Sequence, residues 1–494
     1  MGAFLSGFGV MLQFSYILYM FGGVAFGMFL GVLPGLSGSM GIALALPLTF
    51  SMDPLTSLVF LLSIYTGGLF GGAITSIVIN TPGSPANMAT LFDGYPMAQR
   101  GQTGRALGLA LGSSSIGGLI GVVFLALVTK PLADIALKFG PAEMFMVAIF
   151  GLSVVGSLSK NVLKSLFAGA FGILIGTIGM SNTGAIRGTM GSIFLFNGLP
   201  LTPTLIGLLA IPSIFDLAVQ EQLKGDYKQS SLKEIIDGMI APFKKPVLTV
   251  LTSLLGVIVG VMPAAGATVA GLLSYNQTKQ WSKKSDEFGT GIDEGIIAAE
   301  TANNASAGGA LSTMFVLGIP GSNSTAMMMG ALIIQGWAPG PRLFIDNQEV
   351  IYQSFASLFL QQIVMLFIGL IMCYFAVQIL KVPTKLLVPI ILLFTIVGSF
   401  SNRNAIFDVF LMLGLGAAGW FMKKSDFDIM PIILGIILGP IADTELLRIF
   451  QSYNSFMYIF TQPIVIILLV ITVLSLGLPM LGRMKSKSRE KQTA

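Results

Sequence analysis

The chain has 494 residues, of which 54% are hydrophobic and only 10% charged, with a formal net charge of +5. Soluble domains carry about a quarter of their residues as charges, so water is not the main solvent of this chain. One cysteine, Cys373, and no histidine exclude a disulfide framework, a His-type zinc site, a histidine proton relay and a Ser-His-Asp triad.

Residues 1–52, 54–92, 246–278, 301–341 and 450–482 carry no charge, and each run exceeds the roughly 20 residues that span hydrocarbon. The runs are continuously apolar and rich in Gly, Ala, Leu and Met, whereas barrel strands alternate in polarity over about ten residues. An all-α polytopic membrane protein is expected, surrounded by lipid. The basic residues sit in short loops and in the tail without interleaved aromatics, which fits positive-inside loops and leaves no nucleic-acid footprint.

The first apolar segment, near 10–33, lacks the basic n-region of a secretory signal and is expected to be kept as a helix. It runs into Pro34-Gly35-Leu36-Ser37-Gly38-Ser39 before the segment near 36–52. A proline followed by small residues inside an apolar run frees amides and carbonyls where water is absent, so this backbone has to line a cavity. Pro34, Gly35, Ser37 and Gly38 are therefore candidate solute contacts. A half-helix opening there offers unpaired N–H groups and about half a positive charge, enough to hold a carboxylate without an arginine.

The segment near 54–79 continues through Asn80-Thr81-Pro82-Gly83-Ser84-Pro85 into a shorter arm, Ala86 to Phe92, which reads as a re-entrant hairpin near 65–92. Asn80, Thr81, Gly83 and Ser84 at its tip can donate to a carboxylate or, through carbonyl oxygens, accept a sodium ion. The plain alternative is that they cap helices and satisfy their own backbone. Segments near 106–129, 141–159, 165–182 and 199–219 complete the first half as scaffold helices.

Residues 220–245 hold Lys224, Lys228, Lys233, Lys244 and Lys245 and read as a polar cytoplasmic linker. Apolar segments resume near 246–262, 264–276, 296–319, 322–335, 351–380, 383–401, 404–422, 429–447 and 456–478. A basic tail over 483–494 is also expected to be cytoplasmic. An even number of crossings must separate linker and tail, so some of the Gly-rich segments have to be re-entrant.

Two patterns recur in order. GVLPGLSG at 31–38 returns as GVMPAAGA at 260–267, with Pro34 over Pro263 at an offset of 229, and GGAITSIVINTPGS at 71–84 returns as GGALSTMFVLGIPGS at 308–322, with Pro82 over Pro320 at an offset of 238. Two repeated halves are expected, residues 1–219 and 246–482, with broken helices near 31–41 and 260–271 and hairpins near 65–92 and 300–335. The scaffold would be 106–219 and 351–478. If each unit has an odd number of crossings, the copies are inverted, the arrangement of many carriers. The hairpin pattern suggests an elevator, with hairpins and broken helices moving against the scaffold. Gly266 and Thr268 follow the second break, and Gly321, Ser322 and Asn323 form the second tip. Asn303, Asn304 and Ser306 make the approach to that hairpin unusually polar and can line a solute cavity. Glu300, with Asn80 and Asn304, is a candidate coupling group for protons or sodium, or else a carboxylate lying at the interface. Asp216 and the other carboxylates at segment ends carry no claim.

GVLPGLSG, GGAITSIVINTPGSPANMATLFDGYPMAQRG and IDEGIIAAETANNASAGGALSTMFVLGIPGSNSTAMMMGALIIQGWAPGPRLF together resemble the large membrane subunit of the tripartite tricarboxylate transporters, along essentially the whole chain. The resemblance implies a multi-pass permease of the bacterial inner membrane, working with a smaller membrane subunit and a periplasmic solute-binding protein. It also implies an ion gradient as driving force, and the chain has no Walker-type phosphate loop. Substrates of such proteins extend from citrate-like tricarboxylates to dicarboxylates and other organic acids. No resident cofactor and no enzyme activity are expected, sodium being a candidate coupling ion; a dimer is left open. The competing class is a channel or intramembrane enzyme with the same Gly-rich interior.

Overall fold

A computed structural model describes residues 2–33, 36–158, 161–181, 183–219, 231–263, 265–379, 384–401, 403–453 and 455–474. The first half contains α1 (Gly2–Met11), α2 (Phe14–Val32), α3 (Gly38–Thr49), α4 (Pro54–Ile79), α5 (Met88–Gln99), α6 (Thr103–Ala136), α7 (Pro141–Leu158) and α8 (Val162–Gly176). A short antiparallel pair follows, β1 (Gly179–Met180) and β2 (Ile186–Arg187), with Gly179 opposite Arg187. Then come α9 (Leu201–Leu205), a π-helical turn over Ile206–Ala210, and α10 (Ile211–Val219). The second half contains α11 (Leu232–Ile240), α12 (Pro246–Val261), α13 (Gly266–Trp281), α14 (Asp293–Leu317), α15 (Asn323–Ile334), α16 (Pro341–Asp346), α17 (Gln348–Tyr374), α18 (Ala376–Ile379), α19 (Thr384–Ser401), α20 (Ile406–Lys424) and α21 (Met430–Tyr453). A last apolar helix covers Pro463–Leu474.

Among the described residues six helices, α2, α4, α6, α17, α20 and α21, are long and apolar enough to cross a membrane; a seventh span results if Leu232–Lys244 and Pro246–Val261, bent by 82°, count as one. The chain is a multi-pass membrane protein. Some boundaries differ from expectation. The helix expected near 106–129 extends over Thr103–Ala136, and Lys130 and Asp134 pair one turn apart on its added part. The segment expected near 165–182 ends at Gly176 and gives way to β1. Part of the polar stretch 220–245 is the helix α11, which packs on α6.

Local chemistry sets the helix ends. Asp53 accepts from the Thr56 amide at 3.1 Å and Pro54 opens α4, a capped start. The same helix stops where Asn80 takes a left-handed φ of 54°, and α14 stops likewise at Gly318 with φ 67°. Small residues let the helices approach closely. A methyl group on Gly27 would lie 2.1 Å from the Ile64 carbonyl oxygen, and one on Gly256 would lie 2.4 Å from that of Ala302, so α2 packs on α4 as α12 packs on α14.

The far end of α5 and the start of α6 meet the start of α14. Arg100 donates to the Thr290 carbonyl, and Arg105 pairs with Asp293 at 2.6 Å. The end of α4 and the beginning of α14 therefore share one face of the molecule, where Lys245 also pairs with Glu294 at 2.6 Å. α6 leaves this lysine face, and α7 returns along α21, with Met146 and Ile449 in one apolar cluster and Gly151 against Leu438. At the opposite face the Gln335 side chain donates to the Thr49 carbonyl at 3.4 Å, joining the ends of α15 and α3. There Arg187 pairs with Asp443, and Arg403 donates to the Phe194 carbonyl at 3.0 Å. One large apolar core, including Leu33, Met40, Met314, Phe315, Met327 and Ile433, runs between these faces.

Candidate functional site

Four interruptions of the helices converge. At the first, α2 ends and α3 begins at Gly38, with Ser37 extended as its N-cap and the Ser37 and Ser39 hydroxyls 2.7 Å apart. Pro34 and Gly35 lie outside the described residues. At the second, α12 gives way to α13, whose first residue, Gly266, has φ +53°.

The other two are dips in which the chain folds back along the helix it has just left. After Asn80 the backbone returns beside α4 until the Gly83 amide donates to the Gly72 carbonyl at 3.3 Å. A methyl group on Gly83 would lie 2.4 Å from the Gly31 carbonyl oxygen and 2.6 Å from the Gly72 Cα. Ser84 then caps a 3₁₀ turn, Pro85–Asn87, that opens α5. After Gly318 the second dip brings Gly321 against α14 and α12: its methyl would lie 2.7 Å from the Ala310 Cα and 3.0 Å from the Gly260 carbonyl oxygen. Ser322 caps α15 in a reciprocal box with Thr325.

These ends surround a cavity of about 700 Å³, lined by Ser37, Gly38 and Ser39, by Pro82 through Ala86, by Ala265 through Thr268, and by Ser322, Asn323 and Ser324. Tyr65 lines it too. The remaining wall comes from Gly68 and Leu69 of α4, Met88 of α5, α10 and the π-turn, and from Lys423 and the start of α21. The first amides of a helix have no intrahelical partner and carry part of its positive end. Four such ends meeting in one space make it favourable for an anion.

Of the residues singled out in the sequence, Ser37, Gly38, Gly83, Ser84, Gly266, Thr268, Ser322 and Asn323 line this cavity. Gly321 sits directly behind it. Asn80 and Thr81 do not reach it, because the left-handed turn at Asn80 falls at the lysine face and the dip travels inward only afterwards. Asn80 is exposed and borders a separate pocket with Tyr95, Tyr275 and Lys279, while the Thr81 hydroxyl bonds the Ile79 carbonyl at 3.3 Å.

Asn303, Asn304 and Ser306 are buried inside the bundle and bond within α14. The Asn304 amide donates to the Glu300 carbonyl at 3.1 Å, and the Ser306 hydroxyl to the Asn303 carbonyl at 2.6 Å. Glu300 is fully buried. Its carboxylate accepts from Asn87 at 3.2 Å, from Thr90, from Ser114 at 2.8 Å, and at longer range from Asn304 and Asn303, at 3.4 and 3.5 Å. The side-chain amide oxygen of Asn303, Oδ1, is buried without a partner. Asn87 also receives the Ser84 hydroxyl at 2.8 Å and donates to the Leu69 carbonyl at 3.0 Å. A continuous hydrogen-bonded path thus runs from Ser84 at the cavity through Asn87 to Glu300.

Sequence reading missed Asn87, Thr90 and Ser114, and it missed Asp93. The buried Asp93 carboxylate accepts from the Tyr275 hydroxyl at 2.8 Å and from the amides of Gly289, Gly291 and Ile292 at 2.9, 2.7 and 3.1 Å. The available signal was that Asp93 interrupts an otherwise charge-free stretch shortly after the first hairpin.

The family model described as the tripartite tricarboxylate transporter TctA family matches residues 17–434. An uncharacterized 52.8 kDa protein in the TAR-I ttuC' 3'region of Agrobacterium vitis is 33% identical over 487 residues, covering 97% of this chain and 96% of that protein. An uncharacterized protein in the TAR-II ttuC' 3'region of the same organism is 31% identical over 234 residues, 47% of this chain and 96% of that protein. No solved structure matches.

Proposed function

This chain belongs to the tripartite tricarboxylate transporter TctA family, and on that premise we propose that it is the carrier subunit of a secondary active importer of small carboxylates. It works in a bacterial inner membrane with a smaller membrane subunit and a periplasmic solute-binding protein, driven by a sodium or proton gradient. The observation that carries this reading is the meeting of four helix N-termini in one cavity. A carboxylate there meets helix amides and the side chains of Ser37, Ser39, Ser84, Ser322 and Asn323, with no arginine among the described lining residues.

Two inverted repeats account for the arrangement. In their favour, Gly83 touches Gly31 and Gly72 as Gly321 touches Gly260 and Ala310. Packing is reciprocal as well: α1 lies on α17 and α11 on α6, while α8 lies on α21 and α20 on the π-turn before α10. α4 ends at the face where α14 begins. Alternating access then follows as an elevator in which the broken helices and dips move against α7–α10 and α19–α21. α6 and α17 travel with the moving body, because Ser114 holds Glu300 and Thr66 holds Gln361 across those contacts. Glu300 is the coupling group: a proton on it, or a sodium ion shared with Asn303 and Asn304, reorients Asn87 and through it Ser84.

The test is counterflow of labelled organic acids in proteoliposomes holding the chain and its membrane partner, with the binding protein supplied. Exchange that persists without ATP and accumulation that follows an imposed sodium or proton gradient are expected. A requirement for ATP rules the carrier reading out, and single-channel currents replace it with a pore.

A further inference from the structure

Resting on the carrier reading, we propose that Lys423 passes the departing carboxylate out of the cavity at the lysine face, exchanging Asp216 for it. The cavity is open in that direction. From the helix N-termini its wall continues along Leu208, Pro212, Ser213 and Asp216 to Lys423 and Asp428. Toward the opposite face the path is packed shut: a methyl group on Gly330 would lie 3.0 Å from a Leu205 methyl, and one on Gly398 would lie 2.2 Å from the Pro47 ring.

The mouth has a specific charge pattern. Among the described lining residues the charges are Asp216, Asp428 and Lys423. Asp428 is engaged as a cap, accepting from the Met430 amide at 3.1 Å at the start of α21. The neighbouring lysines are turned elsewhere: Lys424 sits 3.8 Å over the Trp420 ring, and Lys164 donates to the Ser425 carbonyl at 2.8 Å while lying 4.9 Å from the Phe427 ring. Among the described lysines Lys423 alone faces the passage, ion-paired with Asp216, and the two side chains are 57% and 42% exposed.

A pair so exposed is held weakly and is readily exchanged. The lysine ammonium, a point charge on a flexible stem, can leave one carboxylate for another. An anion released from the helix ends has to pass between two carboxylates. With Lys423 in place one of them is neutralised; without it both repel. One uncompensated charge a few ångströms away in a water-like medium changes the occupancy of such a passage by about fivefold.

The experiment uses the reconstituted complex in vesicles of both orientations, with labelled citrate, succinate and malate as probes. In Lys423→Gln the half-saturating concentration for substrate offered at the lysine face should rise about fivefold, with no change from the opposite face. Asp216→Asn should lower it, the double variant should return near the wild-type value, and Lys423→Arg should match wild type. The differences should shrink at about 0.5 M salt, where screening acts within a few ångströms. Both single variants weakening uptake alike, or neither changing it, overturns the proposal and leaves a structural ion pair. Failure of the wild-type complex to exchange any of the three acids overturns the carrier reading itself, an outcome visible before any variant is made.

Discussion

Glu300 shows how one side chain ties the chain's two halves together. Its carboxylate takes donors from α5 and its entry turn, from α6 and from its own helix. Glu300→Gln replaces an acceptor-only group by an amide whose own donors face those hydrogens, a change that costs about 1–3 kcal/mol. The expected outcome is a lower thermal midpoint in detergent, together with loss of gradient-driven accumulation while counterflow survives. A variant that still accumulates substrate removes Glu300 from coupling. In the sequence Glu300 stood out as a carboxylate at the head of an apolar run, with Asn303 and Asn304 beside it, but its partners from the first half did not. Asn87, Thr90 and Ser114 are ordinary polar residues until folding brings them to it from positions as far as 213 residues away. Lys423 and Asp216 were illegible for the related reason that charges at helix ends are common; only the cavity distinguishes them.

At the scale of elements, the breaks were visible because proline and glycine inside an apolar run have few other uses. The direction of the chain after each break was not visible, since hydropathy reports length and polarity alone. A hairpin tip at Asn80 and a turn at Asn80 followed by an inward extended stretch have the same composition. The structure has the second, and the stretch that reaches the cavity runs from Pro82 to Ala86. The dip depends on backbone contact at Gly83, where an added methyl would meet the main chain of Gly31 and Gly72. Gly83→Ala is therefore expected to destabilise by about 1–3 kcal/mol and to abolish anion binding in a thermal-shift titration with citrate. Gly22→Ala, at a helical glycine with nothing within 4 Å of the new methyl, is the matched control and should leave both unchanged. Equal effects of the two substitutions would remove the dip from the binding site.

For the whole molecule, the duplicated motifs signalled two related units, and their colinearity was readable without coordinates. Which helix of one unit packs on which of the other was not, because the small residues that permit close approach occur in nearly every segment. In the proposed elevator, the breaks and dips move as one body against α7–α10 and α19–α21, and contacts such as Gly330 with Leu205 and Gly398 with Pro47 cross the boundary between them. A disulfide across that boundary should stop the motion. Leu205→Cys with Gly330→Cys, in a Cys373→Ala background, is expected to cross-link under mild oxidation, to hold the cavity open to the lysine face and to abolish counterflow until a reductant is added. Full counterflow in the cross-linked state would mean that these two bodies do not move apart.

The clasp around Glu300 also bears on how the molecule is made. A ribosome adds about 5–20 residues per second, so Asn87 enters the bilayer roughly ten to forty seconds before the carboxylate that will receive it has been synthesised. During that interval Asn87, Thr90 and Ser114 lack the carboxylate they share in the finished fold, and only the Leu69 carbonyl of the early helices already accepts from Asn87. The nascent first unit has to stay loosely assembled, shielded by the insertion machinery or by lipid, until the second arrives. A truncated product ending before residue 300 is accordingly expected to be degraded in the membrane, which a pulse-chase of that product checks.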